Sequence, residues 1–143
     1  MIAAASPIHT ATINNVSVRF FCGPADGPDM PWHAHEELLA ALALPRDLRR
    51  VLKAALLKHW KGTCHTVEAD GEPVLIAPHF VAQGLIGMAQ EIGRGVTTTP
   101  DFVDREYARA GVGAMNALTA HLPNAEDRFA WAMQAFRNQG GAS

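Results

Sequence analysis

Residues 31–61 read PWHAHEELLAALALPRDLRRVLKAALLKHWK and contain two helical patterns joined at Pro45. In the first pattern apolar residues recur on one side, and two glutamates occupy the first turn, where the helix dipole favours acids. Pro45 cannot continue that helix, but it suits the first turn of the next one. The second pattern runs from Arg46 to about Lys61 and is amphipathic with a 3.6-residue period. The stretch therefore predicts two consecutive helices.

The second of these helices concentrates positive charge. Between Arg46 and Lys61 there are six basic residues and one acid, Asp47, whereas the rest of the chain has six basic and thirteen acidic residues. Leu57 and Trp60 fall among the basic residues, and an aromatic side chain within a basic face suits a surface that meets phosphates and bases. The predicted nucleic-acid-binding residues are Arg46, Arg49, Arg50, Lys53, Lys58, Trp60 and Lys61.

The same helix leaves other interpretations open. Its basic face can be simply solvated, or it can dock on an acidic protein as an inhibitor or antirepressor does, and Trp60 can pack under a neighbouring element. His59, on the apolar side, is expected to be a core histidine. The small residues from Ala108 to Ala114 predict a surface that another backbone approaches closely, for a partner or for self-association.

Two β-hairpins are predicted on either side of these helices. HTATI and VSVRF flank Asn14-Asn15, a pair that tolerates the positive φ values of a two-residue turn, and CHTVEADGEPVLI carries Asp70-Gly71 at its tip. Arg19, in the first hairpin, is expected to be a solvated strand residue.

Three more helices follow in the sequence. The patterns predict one over residues 80–92, one from Thr99 to about residue 118–121, and a last one capped by Asn124 that carries Phe129, Met133 and Phe136. The sequence therefore predicts one α+β domain over residues 1–143, with a small antiparallel sheet formed by two hairpins and packed with about five helices. Its ends, at about residues 1–8 and 138–143, are expected to be frayed.

Composition and apolar run lengths bound the class of protein. With 48% hydrophobic residues in a 143-residue chain, a core can form without disulfides or a metal. Cys22 and Cys64 have no paired spacing and are expected to be reduced thiols. The N-terminus lacks the features of a signal peptide, and the longest apolar run, residues 38–44, is too short to cross a bilayer. We expect a cytoplasmic protein that does not bind membranes.

His33 and His35 form an HxH pair, whose side chains would share one face of a strand and could chelate zinc or iron. A third ligand would have to come from a distant position, with His65 or His79 as candidates. A metal-dependent enzyme at His33 and His35 is the third functional hypothesis. No serine lies in a nucleophile elbow and no glycine fingerprint for phosphate is present, so we expect no catalytic residue, no bound metal and no cofactor.

Residues 10–45 resemble the Bro-N domain of phage antirepressor-like proteins, a family that enters its first helix through a PWF-type strand end. Phe129 and Trp131 are also similar to the family's F-x-x-W helix, whereas Ala43 stands where the family has a glycine near the end of its first helix. The matching residues are Val18, Arg19, Phe20, Pro31, Trp32, Leu38, Ala41, Leu42 and Leu44.

The resemblance implies a DNA-associated regulatory module of mobile-element type, involved in transcription regulation, with no catalytic residues to carry over. Together with the basic helix, it makes a nucleic-acid-binding regulatory module of phage type the leading hypothesis. The alternative is a protein-interaction module that uses the same helix on an acidic partner. The expected partners are therefore DNA or an acidic protein, and a homo-oligomer stays open.

Overall fold

The two predicted hairpins form four strands of the sheet. In the computed structural model, which describes residues 2–139 (Lys61 by its backbone alone), strand β1 (His9–Ile13) pairs with β2 (Val16–Phe21). Strand β4 (His65–Ala69) pairs with β5 (Glu72–Ala77). Both pairs are antiparallel.

The hairpin tips adopt the conformation that their sequences predict. Asn14 and Asn15 have φ values of 48° and 64°, and Asp70 and Gly71 have φ values of 52° and 81°. Positive φ at both central residues is typical of the type I′ turn, whose twist matches that of the flanking strands. Both hairpin predictions are confirmed.

A short strand joins the two hairpins into one sheet. The sequence does not distinguish this strand from the helix that follows it. Strand β3 (Trp32–Ala34) pairs antiparallel with β2 on one side and with β5 on the other, giving the order β1-β2-β3-β5-β4. All three of its residues are buried. A central strand of three buried residues shows no alternation of polar and apolar positions, so its sequence carries no pattern typical of a strand.

The chain ends differ from the expectation where the structure describes them. Residues 3–5 run beside β4, where the Ala5 amide donates to the Glu68 carbonyl and the Glu68 amide donates to the Ala3 carbonyl, each at 2.9 Å. Fraying of residues 1–8 is therefore wrong for residues 3–5, because an edge strand offers them backbone partners. At the other end, residues 140–143 lie outside the described residues.

Five α-helices cover the sheet within residues 2–139: α1 (His35–Ala41), α2 (Arg46–His59), α3 (His79–Ile92), α4 (Thr99–Thr119) and α5 (Ala125–Asn138). A single 3₁₀ turn, Lys61–Thr63, follows α2. The predicted single-domain α+β fold is confirmed. No helix in the described part of the chain is both long and apolar enough to span a membrane.

The main core lies between one sheet face and helices α1, α3 and α4. Phe20 of β2 contacts Tyr107 of α4 there, with ring centroids 5.8 Å apart, and Leu38 and Leu42 of α1 are fully buried beside them. A smaller cluster on the opposite face includes Phe21 and Trp32. The sheet thus buries side chains on both faces around β3.

Arg19 is not the solvated strand residue that its position predicts. Its Nε and one terminal nitrogen donate to the Glu37 carboxylate of α1, at 2.8 Å and 2.5 Å, and its backbone amide donates to the other carboxylate oxygen at 2.8 Å. Strand β3 pairs with β2 only at Phe20 and Phe21, so the Arg19 amide lies beyond the last pair of residues that the two strands share. The correction has a physical cause, because Glu37 completes the hydrogen bonding of β2 where β3 ends.

Ala43, just after α1, has a φ of 50° and is exposed. A left-handed conformation costs a residue with a Cβ on the order of 1 kcal/mol. We expect Ala43→Gly to raise the free energy of unfolding by about 0.5 kcal/mol, since relief of strain exceeds the added entropy of the unfolded chain. Urea denaturation measures the change. Ala54→Gly, at an exposed position inside α2, is the matched control and should lower stability by about 1 kcal/mol; a similar loss at Ala43 would contradict the prediction.

Candidate functional site

Helix α2 contacts the body of the protein along a narrow side. Of its fourteen residues only Leu52 and Leu56 are buried, and Leu48 and Ala55 are half-buried. These four positions recur with the spacing of one helical face and belong to the predicted apolar stripe, whose other two members, Val51 and His59, are exposed. The rest of the helix surface faces solvent.

The predicted basic residues of α2 are exposed. Lys53 forms an ion pair with Glu36 of α1, with Nζ 3.0 Å from the carboxylate oxygen. Within the part of the chain that the structure describes, the other basic side chains of the helix make no ion pair. They are Arg46, Arg49, Arg50 and Lys58. The side chain of Lys61 lies outside the described residues.

Helical spacing divides the basic residues into one group and one outlier. Arg46, Arg49, Arg50 and Lys53 are three or four residues apart and lie along one side of the helix, next to the edge of the apolar stripe that carries Leu56. This side is the basic face of α2. Lys58 lies off that face, beyond Ala54 and Asp47. The structure therefore brings together four of the predicted site residues and separates the fifth.

Trp60 ends α2 with a partly exposed ring. The side chain is 43% exposed, and its ring centroid lies 5.6 Å from that of Phe80, at a tilt of 55°. Spacing places Trp60 seven residues after Lys53, on the same side of the helix. The contact with Phe80 fixes the ring while leaving part of it open to solvent, as base stacking requires.

An apolar groove of about 130 Å³ separates α2 from α3. Leu56 and Trp60 contribute to one wall, and Val81 and Leu85 of α3 to the other. His59 also lines the groove and is exposed, so the expectation of a core histidine is wrong. At His59, the last residue of α2, the apolar side of the helix faces this groove and not the core.

His33 and His35 are fully buried, and neither ring has a hydrogen-bond partner on either nitrogen among the described residues. Their ring centroids lie 6.4 Å apart, and the His33 ring meets the Tyr107 ring edge-on at 6.0 Å. Burial, with the smaller effects of the neighbouring His35 and His79, lowers the pKa of His33 to about 3. Burial also lowers the pKa of His35. Both rings are therefore neutral near pH 7.

The histidines suggested as a third metal ligand are engaged elsewhere. His79 stacks on Tyr107, and its Nδ1 lies 3.2 Å from the Tyr107 hydroxyl, whereas the His65 ring packs against Trp32 with centroids 5.5 Å apart. No group of three or more histidine, cysteine, aspartate or glutamate side chains in residues 2–139 is placed to hold a metal ion. The structure thus gathers the HxH pair into an apolar site without a third ligand from the described residues.

The small residues of α4 pack largely inside the molecule. Ala110 and Ala114 are 6% and 0% exposed, and a Cβ added to Gly113 would lie 2.6 Å from the His9 ring of β1. The backbone that approaches this face closely is therefore a strand of the same chain. The prediction of a partner or self-association surface at residues 108–114 is therefore wrong for Ala110, Gly113 and Ala114, whereas Ala108 is exposed.

Comparison with known proteins adds no relative: this chain matches no protein-family model, no curated protein and no solved structure.

Proposed function

We propose that the protein binds nucleic acid through the basic face of α2. The observation that carries the proposal is that Arg46, Arg49 and Arg50 are exposed and make no ion pair with a described residue, while Trp60 presents part of its ring on the same helix. Guanidinium groups not committed to carboxylates are available to phosphates, which they bind with paired hydrogen bonds. The contact with Phe80 orders the tryptophan before any base stacks on it.

The distribution of charge favours one orientation of a bound polyanion. Residues 46–61 carry a formal charge of +5 from six basic residues and one acid, and the remainder carries −7 from six basic and thirteen acidic residues. An acidic body repels phosphates, so the basic helix is the surface they approach. At about 20 Å long, α2 is long enough to meet several phosphates.

Phosphate contacts of this type give affinity and orientation without reading base sequence. The proposal is therefore a general nucleic-acid contact within a regulatory module. The phage antirepressor-like setting rests on the resemblance of residues 10–45 to Bro-N domains and stays a prediction.

The test replaces three arginines by a neutral residue of similar length, in the variant Arg46→Gln/Arg49→Gln/Arg50→Gln. Fluorescence anisotropy with labelled random duplex and single-stranded DNA is measured over a series of salt concentrations. We expect affinity at least about tenfold weaker at low salt, and a salt dependence whose log–log slope is smaller by about 2 to 3, because each lost phosphate contact removes roughly 0.9.

The matched control is Arg105→Gln/Arg109→Gln, which removes two exposed arginines from α4. This control should retain most of the affinity and slope of the native protein, because α4 is outside the proposed contact. Equal losses in both variants would show that only net charge matters. Absence of binding by the native protein at low salt would refute the proposal.

A second candidate function, docking on an acidic protein, is favoured by apolar side chains on the solvent side of α2. Val51 and Leu57 are 54% and 51% exposed, although phosphate binding requires neither. A protein partner would cover them together with the apolar groove. Free DNA separates the two functions, since it competes with a partner only if both occupy the basic face. Leu57→Ser should weaken a protein complex and leave DNA affinity nearly unchanged.

A further inference from the structure

Helix α5 carries an uncovered apolar stripe. Phe129, Met133 and Phe136 are 67%, 43% and 59% exposed, although their spacing of four and three residues places them on one face. Seven residues of helix extend about 10 Å, so the stripe is a continuous surface and not a scatter of single residues. Contiguous apolar surface of this kind marks an interaction site more often than does an isolated exposed side chain.

The opposite side of α5 is fixed to the body. Ala135 is fully buried, and the Asn138 side chain donates to the Pro28 carbonyl at 2.6 Å. The helix begins at a cap in which the Asn124 side chain accepts from the Asp127 amide at 2.8 Å. Because both ends are held, the stripe faces outward as part of a well-formed helix.

We infer that this stripe pairs with the same stripe of a second copy of the chain, with the two α5 helices antiparallel across a two-fold axis. Such an interface is isologous, so one surface must be complementary to itself. Phe129 and Phe136 are equivalent aromatic residues at the two ends of the stripe. An antiparallel pairing sets Phe129 of each copy opposite Phe136 of the other and puts Met133 near the axis.

The charges beside the stripe select this orientation. Glu126 and Arg137 are both exposed, are eleven residues apart, and therefore lie on the same flank of the helix three turns from each other. In an antiparallel pair like flanks face each other, which brings Glu126 of one copy towards Arg137 of the other in the same register that aligns the phenylalanines. A two-fold parallel pair would instead put this flank of the two copies on opposite sides of the contact, so Glu126 and Arg137 would not meet.

The size of the stripe implies a weak dimer. Six side chains, three from each copy, would remove on the order of 600 Å² of apolar surface from water, which is below the roughly 1,200 Å² of a stable interface. We therefore expect a dissociation constant on the order of 10 µM. The inference does not depend on the nucleic-acid proposal, because α5 and α2 contribute different residues.

Sedimentation velocity of the full chain, from about 1 to 500 µM, tests the inference around the expected dissociation constant. We expect a shift from monomer to dimer across this range, and a monomer at every concentration for Phe129→Asp. The control Val51→Asp removes an exposed apolar residue from α2 and should leave the dimer intact. Thermal unfolding at low concentration should be nearly unchanged by Phe129→Asp, since Phe129 is exposed in the monomer. A native protein that stays monomeric, or a dimer that tolerates Phe129→Asp, overturns the inference.

Charge exchange tests the orientation. Glu126→Arg or Arg137→Glu alone should weaken the dimer about three- to tenfold, because each change affects two symmetric pairs. Both changes in one chain should restore the dissociation constant to near its native value, since the pairs re-form with their signs reversed. Failure of the double variant to recover overturns the antiparallel register, because only that register brings position 126 of one copy to position 137 of the other.

Discussion

Between pH 6.5 and pH 4.5 the protein is expected to lose about 2 kcal/mol of its free energy of unfolding through His33 alone. His33 is fully buried, neither ring nitrogen has a hydrogen-bond partner within residues 2–139, and burial holds its pKa near 3 in the folded state. In the unfolded chain the same side chain titrates near its ordinary value of 6.5. The unfolded state therefore takes up a proton first as the pH falls.

The direction of the effect follows from the lowered pKa. Above pH 6.5 the ring is neutral in both states and imposes no penalty. Below it, protonation stabilises the unfolded chain progressively until the folded ring also titrates near pH 3. His35, whose pKa burial also lowers, adds to the loss in the same range. Urea denaturation at half-unit pH steps measures the slope.

His33→Leu should flatten this acid dependence, because an apolar side chain of similar size has no proton to bind. The matched control is His121→Leu, at an exposed position after α4, which should leave the dependence unchanged. If His33→Leu unfolds the protein, the wild-type titration still decides the matter. A native stability that is constant between pH 6.5 and pH 5 would contradict the neutral, partner-free state of His33 and His35.

Local sequence signals predicted the elements that depend on local chemistry. Asn14-Asn15 and Asp70-Gly71 form the turns expected of them, and Asn124 caps α5, because turns and caps are decided by neighbouring residues. The same reasoning placed the apolar stripe of α2. These features require no knowledge of the rest of the fold.

Features that depend on distant partners were not predictable in this way. Arg19 has the pattern of a solvated strand residue because its partner, Glu37, is eighteen residues away in another element. The HxH pair has the pattern of a metal site, but the sequence does not say which surfaces bury it. The exposure of Phe129 likewise depends on which elements fail to cover α5.

The basic face of α2 depends partly on neighbouring residues and partly on distant ones. Its charge and periodicity are local, so the group from Arg46 to Lys53 could be assigned from the sequence. The partial exposure of Trp60 depends on Phe80, twenty residues further along the chain. The ion pair between Lys53 and Glu36 depends on how α1 and α2 meet at Pro45.

Glu37→Ala is expected to lower the free energy of unfolding by about 3 kcal/mol, which corresponds to a fall of roughly 10 °C in melting temperature. The Glu37 carboxylate accepts three hydrogen bonds from Arg19, one of them from the backbone amide. Both side chains are 23% exposed, so solvent only partly compensates for the loss. The variant leaves the Arg19 backbone amide without its acceptor, and the guanidinium with only the exposed Asp70 carboxylate, 3.6 Å away.

The two adjacent glutamates of α1 make a matched comparison. Glu36 pairs with Lys53 at 3.0 Å, but both side chains are more than half exposed, so Glu36→Ala should cost less than about 1 kcal/mol. Glu37→Gln should fall between the two, because its amide oxygen still accepts from the Arg19 backbone while the charge that binds the guanidinium is gone. Differential scanning calorimetry of the three variants gives the order directly. Equal losses of stability for Glu36→Ala and Glu37→Ala would mean that Glu37 contributes no more than a surface ion pair. Glu37 would then not complete the hydrogen bonding of β2.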